Sequence, residues 1–271
     1  MDETAFAKIN LALHVRARQP DGYHRIETVF SFAEDGDELS VGPADTLTLE
    51  ITGPFAGQLG AGDDNLVVRA AQALRGRYGV EAGAAIVLDK RLPVASGLGG
   101  GSADAAATLR LLARWWGLEA DEAALLALAA SLGSDVPACL ASRTARGEGR
   151  GDALTPLDIP GLSGTPLLLV NPRTPVPTSE VFRRWDGVDG GALGDPLLGR
   201  NDLEEAAMGI APAIRPVLVA LRASRGVSLA RMSGSGATCF ALFPDEEDRD
   251  EAQARLAGHH PDWWTLASRV R

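Results

Sequence analysis

Apolar side chains alternate with others over residues 5–15, where Ala7, Ile9, Leu11, Leu13 and Val15 make one row and Phe6, Lys8, Asn10, Ala12 and His14 the other. A period of two puts successive side chains on opposite faces of a β-strand, so one row enters a core and the other presents Lys8 and Asn10. Shorter apolar runs predict further strands at 26–32, 45–52, 85–90, 167–170, 228–232, 238–243 and 264–270. Helices are predicted at 66–78, after the capping oxygens of Asp63, Asp64 and Asn65 and before Gly79; at 102–116, closed by Gly117; and at 121–132, closed by Gly133. Others begin at Thr178, leading to Phe182 and Trp185, and cover 201–208, 212–222 and 246–255. The charged glycine turn at 145–152 reads as a hairpin, and the glycine-rich stretch 186–200 as a mobile loop. Proline and glycine crowd residues 156–166, which places a boundary between a first domain, 1–157, and a second, 158–271.

With 271 residues, 45% of them hydrophobic, the chain has material for a large core. Its net charge of −10 repels nucleic acid and anionic membranes, so an anionic ligand has to be held by local features. The beginning of the chain lacks a basic segment followed by an apolar one, and no apolar run reaches membrane-spanning length, which leads us to expect a soluble cytoplasmic protein. Cys139 and Cys239 lie in apolar surroundings without metal-site spacing and read as buried thiols.

The chemistry concentrates in PVASGLGGGSADAAA, residues 93–107. Gly97, Gly99, Gly100 and Gly101 free the backbone and lead directly into an alanine-rich helix, whose N-terminal amides and dipole attract a phosphate. No lysine follows the last glycine, and Ser102 stands at the sixth position of G-x-G-x-x-G, so neither common nucleotide fingerprint applies. A flexible linker is the competing reading; the strand before and the abrupt helix after favour phosphate binding.

Other candidates are weaker singly. QPDGYH at 19–24 is a turn that hands Tyr23 and His24 to the next segment, either to flank a ring or to pack on the surface. In GSDVP, Asp135 lies just past a glycine cap and two residues before Pro137, as a constrained carboxylate or simply the cap of a short helix. The SGSGA turn at 233–237 either sets amides and hydroxyls beside the first glycine loop or merely closes a hairpin.

Taken in order, Lys8 and Asn10, the glycine stretch, GSDVP and SGSGA resemble the GHMP kinase superfamily, whose members phosphorylate small-molecule alcohols with ATP. The pairing of AKINLALHV with PDGYH, followed by ARMSGSGATCFALF, is similar to the branch that phosphorylates the 2-hydroxyl of 4-diphosphocytidyl-2-C-methyl-D-erythritol in non-mevalonate isoprenoid synthesis; homoserine and mevalonate kinases lack that pairing. The resemblance implies an α+β fold of two domains, an N-terminal one like ribosomal protein S5 domain 2 and a C-terminal α/β sandwich, with the active site in the cleft. It implies Lys8 and Asp135 as the catalytic pair, and ATP held by Pro93, Val94, Ala95, Ser96, Gly97, Leu98, Gly99, Gly100, Gly101, Ser102 and Ala103. Asn10, Tyr23, His24, Thr178 and Phe182 would hold the cytidylyl substrate, and Mg2+ would accompany ATP with Ser102 contacting it directly or through a water. A monomer or weak homodimer is expected, with no nucleic-acid or membrane partner. Ala138 and Cys139 stand where the family usually has a bulky aromatic residue. Another GHMP kinase, or a silent ligand sensor on the same scaffold, is the alternative.

Overall fold

Two long strands carry the N-terminal third of the molecule, and both outrun their sequence signals. The computed structural model describes residues 1–271. Strand β1 (Asp2–Arg18) keeps the expected alternation at its centre, and β2 (His24–Gly42) continues ten residues past the predicted end. That extension, AEDGDELSVG, is polar in sequence, yet Asp37 and Leu39 are buried and a Cβ at Gly36 would strike the Ala5 carbonyl. Such close backbone approach requires glycine there.

Contacts divide the chain into two interleaved units. The first comprises Met1–Ala7, Asp35–Val94 and Gly99–Ser142. In it, residues 38–42 of β2 pair antiparallel with β4 (Ala84–Asp89), which pairs parallel with β3 (Leu47–Thr52). Four helices belong to this unit: α1 (Leu66–Tyr78), α2 (Gly100–Trp115), α3 (Glu122–Leu132) and α4 (Val136–Ala141). Helix α1 has the predicted bounds because Asn65 accepts the Val67 amide and Gly79 turns left-handed at the other end. Helix α2 is buried almost throughout, from Ala103 to Leu109 and again at Leu111 to Ala113.

The second unit comprises Lys8–Glu34, Ala95–Leu98 and Arg143–Arg271. Residues 26–30 of β2 pair with β5 (Ala145–Gly149), which pairs with β6 (Ala153–Pro156), giving the expected hairpin. A separate antiparallel sheet runs β10 (Trp264–Arg269), β7 (Pro166–Asn171), β9 (Cys239–Leu242), β8 (Leu229–Met232). All six residues of its inner strand β7 are buried. Helices α5 (Thr178–Arg184), α6 (Glu204–Ile210), α7 (Ile214–Arg222) and α8 (Glu246–His259) complete the unit. Its core joins Leu13, Val15 and Ile26 to Leu168, Val170, Leu218, Phe243 and Leu256. The fold is therefore mixed α+β with two sheets.

Residues 186–200 have neither helix nor strand, as expected, but they are fastened rather than loose. Arg16 binds Asp189 (2.8 Å), Glu27 accepts the Leu193 amide (2.7 Å), and Arg146 reaches the Leu193 carbonyl (2.9 Å). His14 bonds Gly191 O through Nδ1 and accepts the Arg200 amide through Nε2, so this member of the β1 polar row is absorbed structurally.

Candidate active site

The glycine stretch is set by protein contacts before any ligand is considered. Ala95, Gly97 and Gly99 all have positive φ (51°, 82° and 63°). A Cβ at Gly97 would lie 2.4 Å from the Ser233 carbonyl, so a side chain is forbidden there by the chain itself. The SGSGA turn closes the β8–β9 hairpin and also packs on this loop: Ser233 Oγ donates to Gly97 O (2.9 Å), and the Thr238 amide donates to Ser96 O (2.9 Å). Both readings of that turn therefore hold at once.

Helix α2 begins at Gly100, two residues earlier than expected. Gly99, in the left-handed region, offers no capping side chain, and the first turn has no acidic residue. The Ala103 amide is the first to bond back, to Gly99 O (2.8 Å), so the Gly100, Gly101 and Ser102 amides precede the ladder. A long helix starting on uncapped amides is electrostatically suited to an anion. That is the fit the phosphates of ATP require of this stretch.

Below this turn lies a buried charge cluster that the sequence did not single out. Lys90 Nζ donates to Asp37 Oδ2 and Asp104 Oδ2, both at 2.6 Å. Asp37 Oδ1 also accepts the amides of Arg91 (2.6 Å) and Leu92 (2.8 Å), whereas Asp104 Oδ1 is buried without a partner. A Cβ at Gly100 would come within 3.1 Å of Lys90 Nζ, so this glycine makes room for the ammonium. Burial raises the Asp104 pKa to about 7; the neighbouring Asp37 charge adds to this and Lys90 opposes it. Burial works against the Lys90 ammonium, but the two carboxylates outweigh it and hold its pKa above the usual value. The available signal was Asp104 itself, a lone acid in an otherwise apolar helical run.

In the second unit Lys8 is 4% exposed, with Nζ 2.7 Å from Asn10 Oδ1 and 5.5 Å from the Phe30 ring centre. Asn10 Nδ2 donates to Thr28 Oγ1 (2.8 Å), which donates to Ala12 O (2.7 Å). The pair two residues apart on one strand face is thus locked by β2, which orients the amide and through it the ammonium.

His24 packs on Phe182 at 5.1 Å between ring centres and on Trp185 at 5.7 Å. Arg18 Nε donates to His24 Nε2 (3.3 Å), assigning the ring proton to Nδ1. Burial, with the Arg18 charge, holds the His24 pKa below its usual value. Tyr23 is 55% exposed and has the Arg150 guanidinium 3.8 Å over its ring, with Arg150 also paired to Asp21 (2.7 Å). Arg150 was missed because a charged glycine turn carries no sign of what it will cover. Thr178 and Ser235 share a hydrogen bond (2.8 Å).

Asp135 lies in the first unit at the N-cap position of α4, half-buried, and its side chain makes no capping bond to that helix. A short helix opened by Asp135 is one of the two readings of GSDVP, and it forms with Pro137 in its first turn, where the missing N–H of proline costs no hydrogen bond, although Asp135 gives it no side-chain cap. The second unit thus gathers Lys8, Asn10, Tyr23, His24, Thr178 and Phe182, while Pro93, Val94, Asp135 and the residues from Gly99 through Ser102 to Ala103 belong to the first. No group of three or more His, Cys, Asp or Glu is arranged to hold a metal. Magnesium commonly enters with substrate phosphates, one or two protein oxygens and its own waters, and the half-buried Ser102 hydroxyl on the first turn of α2 suits that mode.

Residues 65–143 match the N-terminal domain of GHMP kinases, and residues 189–262 match their C-terminal domain. Over 277 residues, 99% of this chain and 94% of the other, it is 57% identical to a 4-diphosphocytidyl-2-C-methyl-D-erythritol kinase of Rhizorhabdus wittichii. It is 50% identical to the protein of the same name from Sphingopyxis alaskensis, over 100% and 99% of the two chains. A crystal structure of a 4-(cytidine 5'-diphospho)-2C-methyl-D-erythritol kinase superposes with a TM-score of 0.83 at 34% identity, covering 100% of this chain and 99% of that one.

Proposed function

The chain belongs to the GHMP kinases, and from that premise we propose that it transfers the γ-phosphoryl group of ATP to the 2-hydroxyl of 4-diphosphocytidyl-2-C-methyl-D-erythritol. The products are the 2-phosphate and ADP. The observation that supports this most directly is the His24–Phe182 ring contact at 5.1 Å, which brings together two residues far apart in sequence that the reading assigns to one base pocket, Phe182 to a face of the cytosine and His24 to its edge.

Asp135 acts as general base. The attacking hydroxyl gives its proton to this carboxylate as its oxygen bonds to the γ-phosphorus, and the bond from that phosphorus to the bridging oxygen of ADP breaks. Lys8 offsets charge on the transferring group; its ammonium is held by Asn10 and costs little reorganisation during the reaction. The Gly100, Gly101 and Ser102 amides hold the phosphates. Magnesium, with Ser102 as its protein ligand, supplies neutralisation of the phosphate oxygens when bound. Phe182 and Tyr23 flank the base while His24, in its Nδ1–H form, reads an edge, and Thr178 completes the substrate contacts.

The test is ADP release by the purified protein with ATP and Mg2+, given the cytidylyl substrate, homoserine or mevalonate in separate reactions. Turnover with the first alone is expected. Turnover only with another alcohol would keep the phosphate loop and discard the cytosine site; silence with all three would overturn the kinase reading.

A further inference from the structure

Helix α4 has six residues, so the carbonyls of its last turn, from Cys139 onward, lack intrahelical partners and need donors from elsewhere. Two side chains meet that need: the Ser142 hydroxyl donates to Cys139 O, and Arg110 does more. Arg110 Nη1 donates to Cys139 O (2.9 Å) and Leu140 O (3.2 Å) and approaches Ser142 Oγ (3.4 Å). Its Nη2 donates to Thr4 O (3.1 Å), and its Nε to Glu3 Oε1 (2.6 Å). The fork is thereby filled on every nitrogen, with its charge balanced by Glu3, a side chain only 13% exposed. A cation also complements the carbonyl end of a helix.

Arg110 stands on α2, the helix that starts at the glycine loop, about 15 Å from its first turn at a rise of 1.5 Å per residue. Asp135 opens the other helix. Apolar packing of α4 rests on Val136 and Pro137 at its start, while Ala138 and Cys139 bury only small side chains that interlock weakly, so directional bonds add to the fixing of its later turn. We propose that Arg110 is a positioning residue for phosphoryl transfer, tying the helix that carries Asp135 to the helix that begins at the phosphate loop. This rests on the reading of Asp135 as the base. A guanidinium is suited to the task because its planar fork reaches two carbonyls and a third acceptor without bending; a lysine reaches fewer.

The experiment is a double-mutant cycle in the full chain, with single-turnover phosphoryl transfer as the readout. Arg110→Met keeps the apolar stem and removes every bond. Since a misplacement near 1 Å costs on the order of 100-fold, a partial shift should lower the rate by roughly 10-fold, with KM for ATP and for the alcohol changed less than about twofold. Arg110→Lys should recover part of the loss, and serves as the second variant if Arg110→Met fails to fold. In an Asp135→Asn background, Arg110→Met should change the residual rate less than about twofold, because the group it positions is gone. An equal loss in both backgrounds, or a loss carried by the KM for ATP, would overturn the inference and leave Asp135 as base. Near-normal turnover of Asp135→Asn alone would instead overturn the base assignment, and the inference with it.

Discussion

Replacing Asp104 by asparagine should stabilise the protein at alkaline pH and do little at acid pH. Two carboxylates share one buried ammonium, and they are not equivalent: Asp37 has two backbone amides besides Lys90, whereas Asp104 has a buried oxygen with nothing bonded to it. Asp104 is the surplus charge, and burial raises its pKa from 3.8 to about 7. The folded protein therefore holds a proton between these values that the unfolded chain has lost. Stability is full below pH 3.8, falls as pH rises towards 7, and stays low above it. The difference is about 3 units, which at 1.36 kcal/mol each is roughly 4 kcal/mol at most. Asparagine keeps an acceptor for Lys90, leaves Asp37 as its counter-charge and never ionises. Urea unfolding of both proteins from pH 5 to 8.5 tests this, because groups outside the Asp37–Lys90–Asp104 cluster contribute equally to both and drop out of the difference. The difference should grow in favour of the variant up to about pH 7 and then level off. A difference that does not vary with pH, or one that favours the native protein more as pH rises, would show Asp104 ionised throughout and refute the argument.

Asp135→Asn should lower turnover by roughly 10²- to 10⁴-fold, the span of general-base catalysis, with ATP binding retained in a nucleotide titration. Tyr23→Ala should weaken the cytidylyl substrate by roughly 1 to 3 kcal/mol, as for other aromatic–base stacks, with the Kd for ATP unchanged; an equal loss of ATP would move the base pocket elsewhere. Gly97→Ala forces a methyl against the Ser233 carbonyl at a positive φ of 82°, so both thermal stability and ATP affinity should fall; a variant with normal Tm and normal ATP affinity would contradict the packing described. The His24 imidazole should titrate below 6.5 by NMR, and Arg18→Ala should move its midpoint upward by removing a nearby positive charge. Because that pKa is depressed on folding, the stability His24 contributes is present above 6.5 and lost as pH falls through its folded value.

What could be read along the chain was whatever local chemistry decides. The alternation of β1, the Asn65 and Gly79 caps of α1, the hairpin at 145–152 and the glycine run opening a helix all depend on residues a few positions apart, and all stand in the structure. The order of motifs carried the family. Where long-range contact decides, the local pattern failed: β2 runs on through AEDGDELSVG because Gly36 admits the Ala5 carbonyl and Asp37 finds Lys90. Local chemistry leaves GSDVP between two readings, a short helix or a constrained turn, and the carbonyls that end α4 are met by an arginine on another helix. The glycine at 97 is needed for a carbonyl from the SGSGA turn, and the glycine at 100 lies tight against a buried ammonium, neither visible from neighbours in sequence. A period or a cap is a property of one segment, so sequence alone determines it; a buried charge or a filled guanidinium is a property of several segments meeting, and only the tertiary structure brings them together.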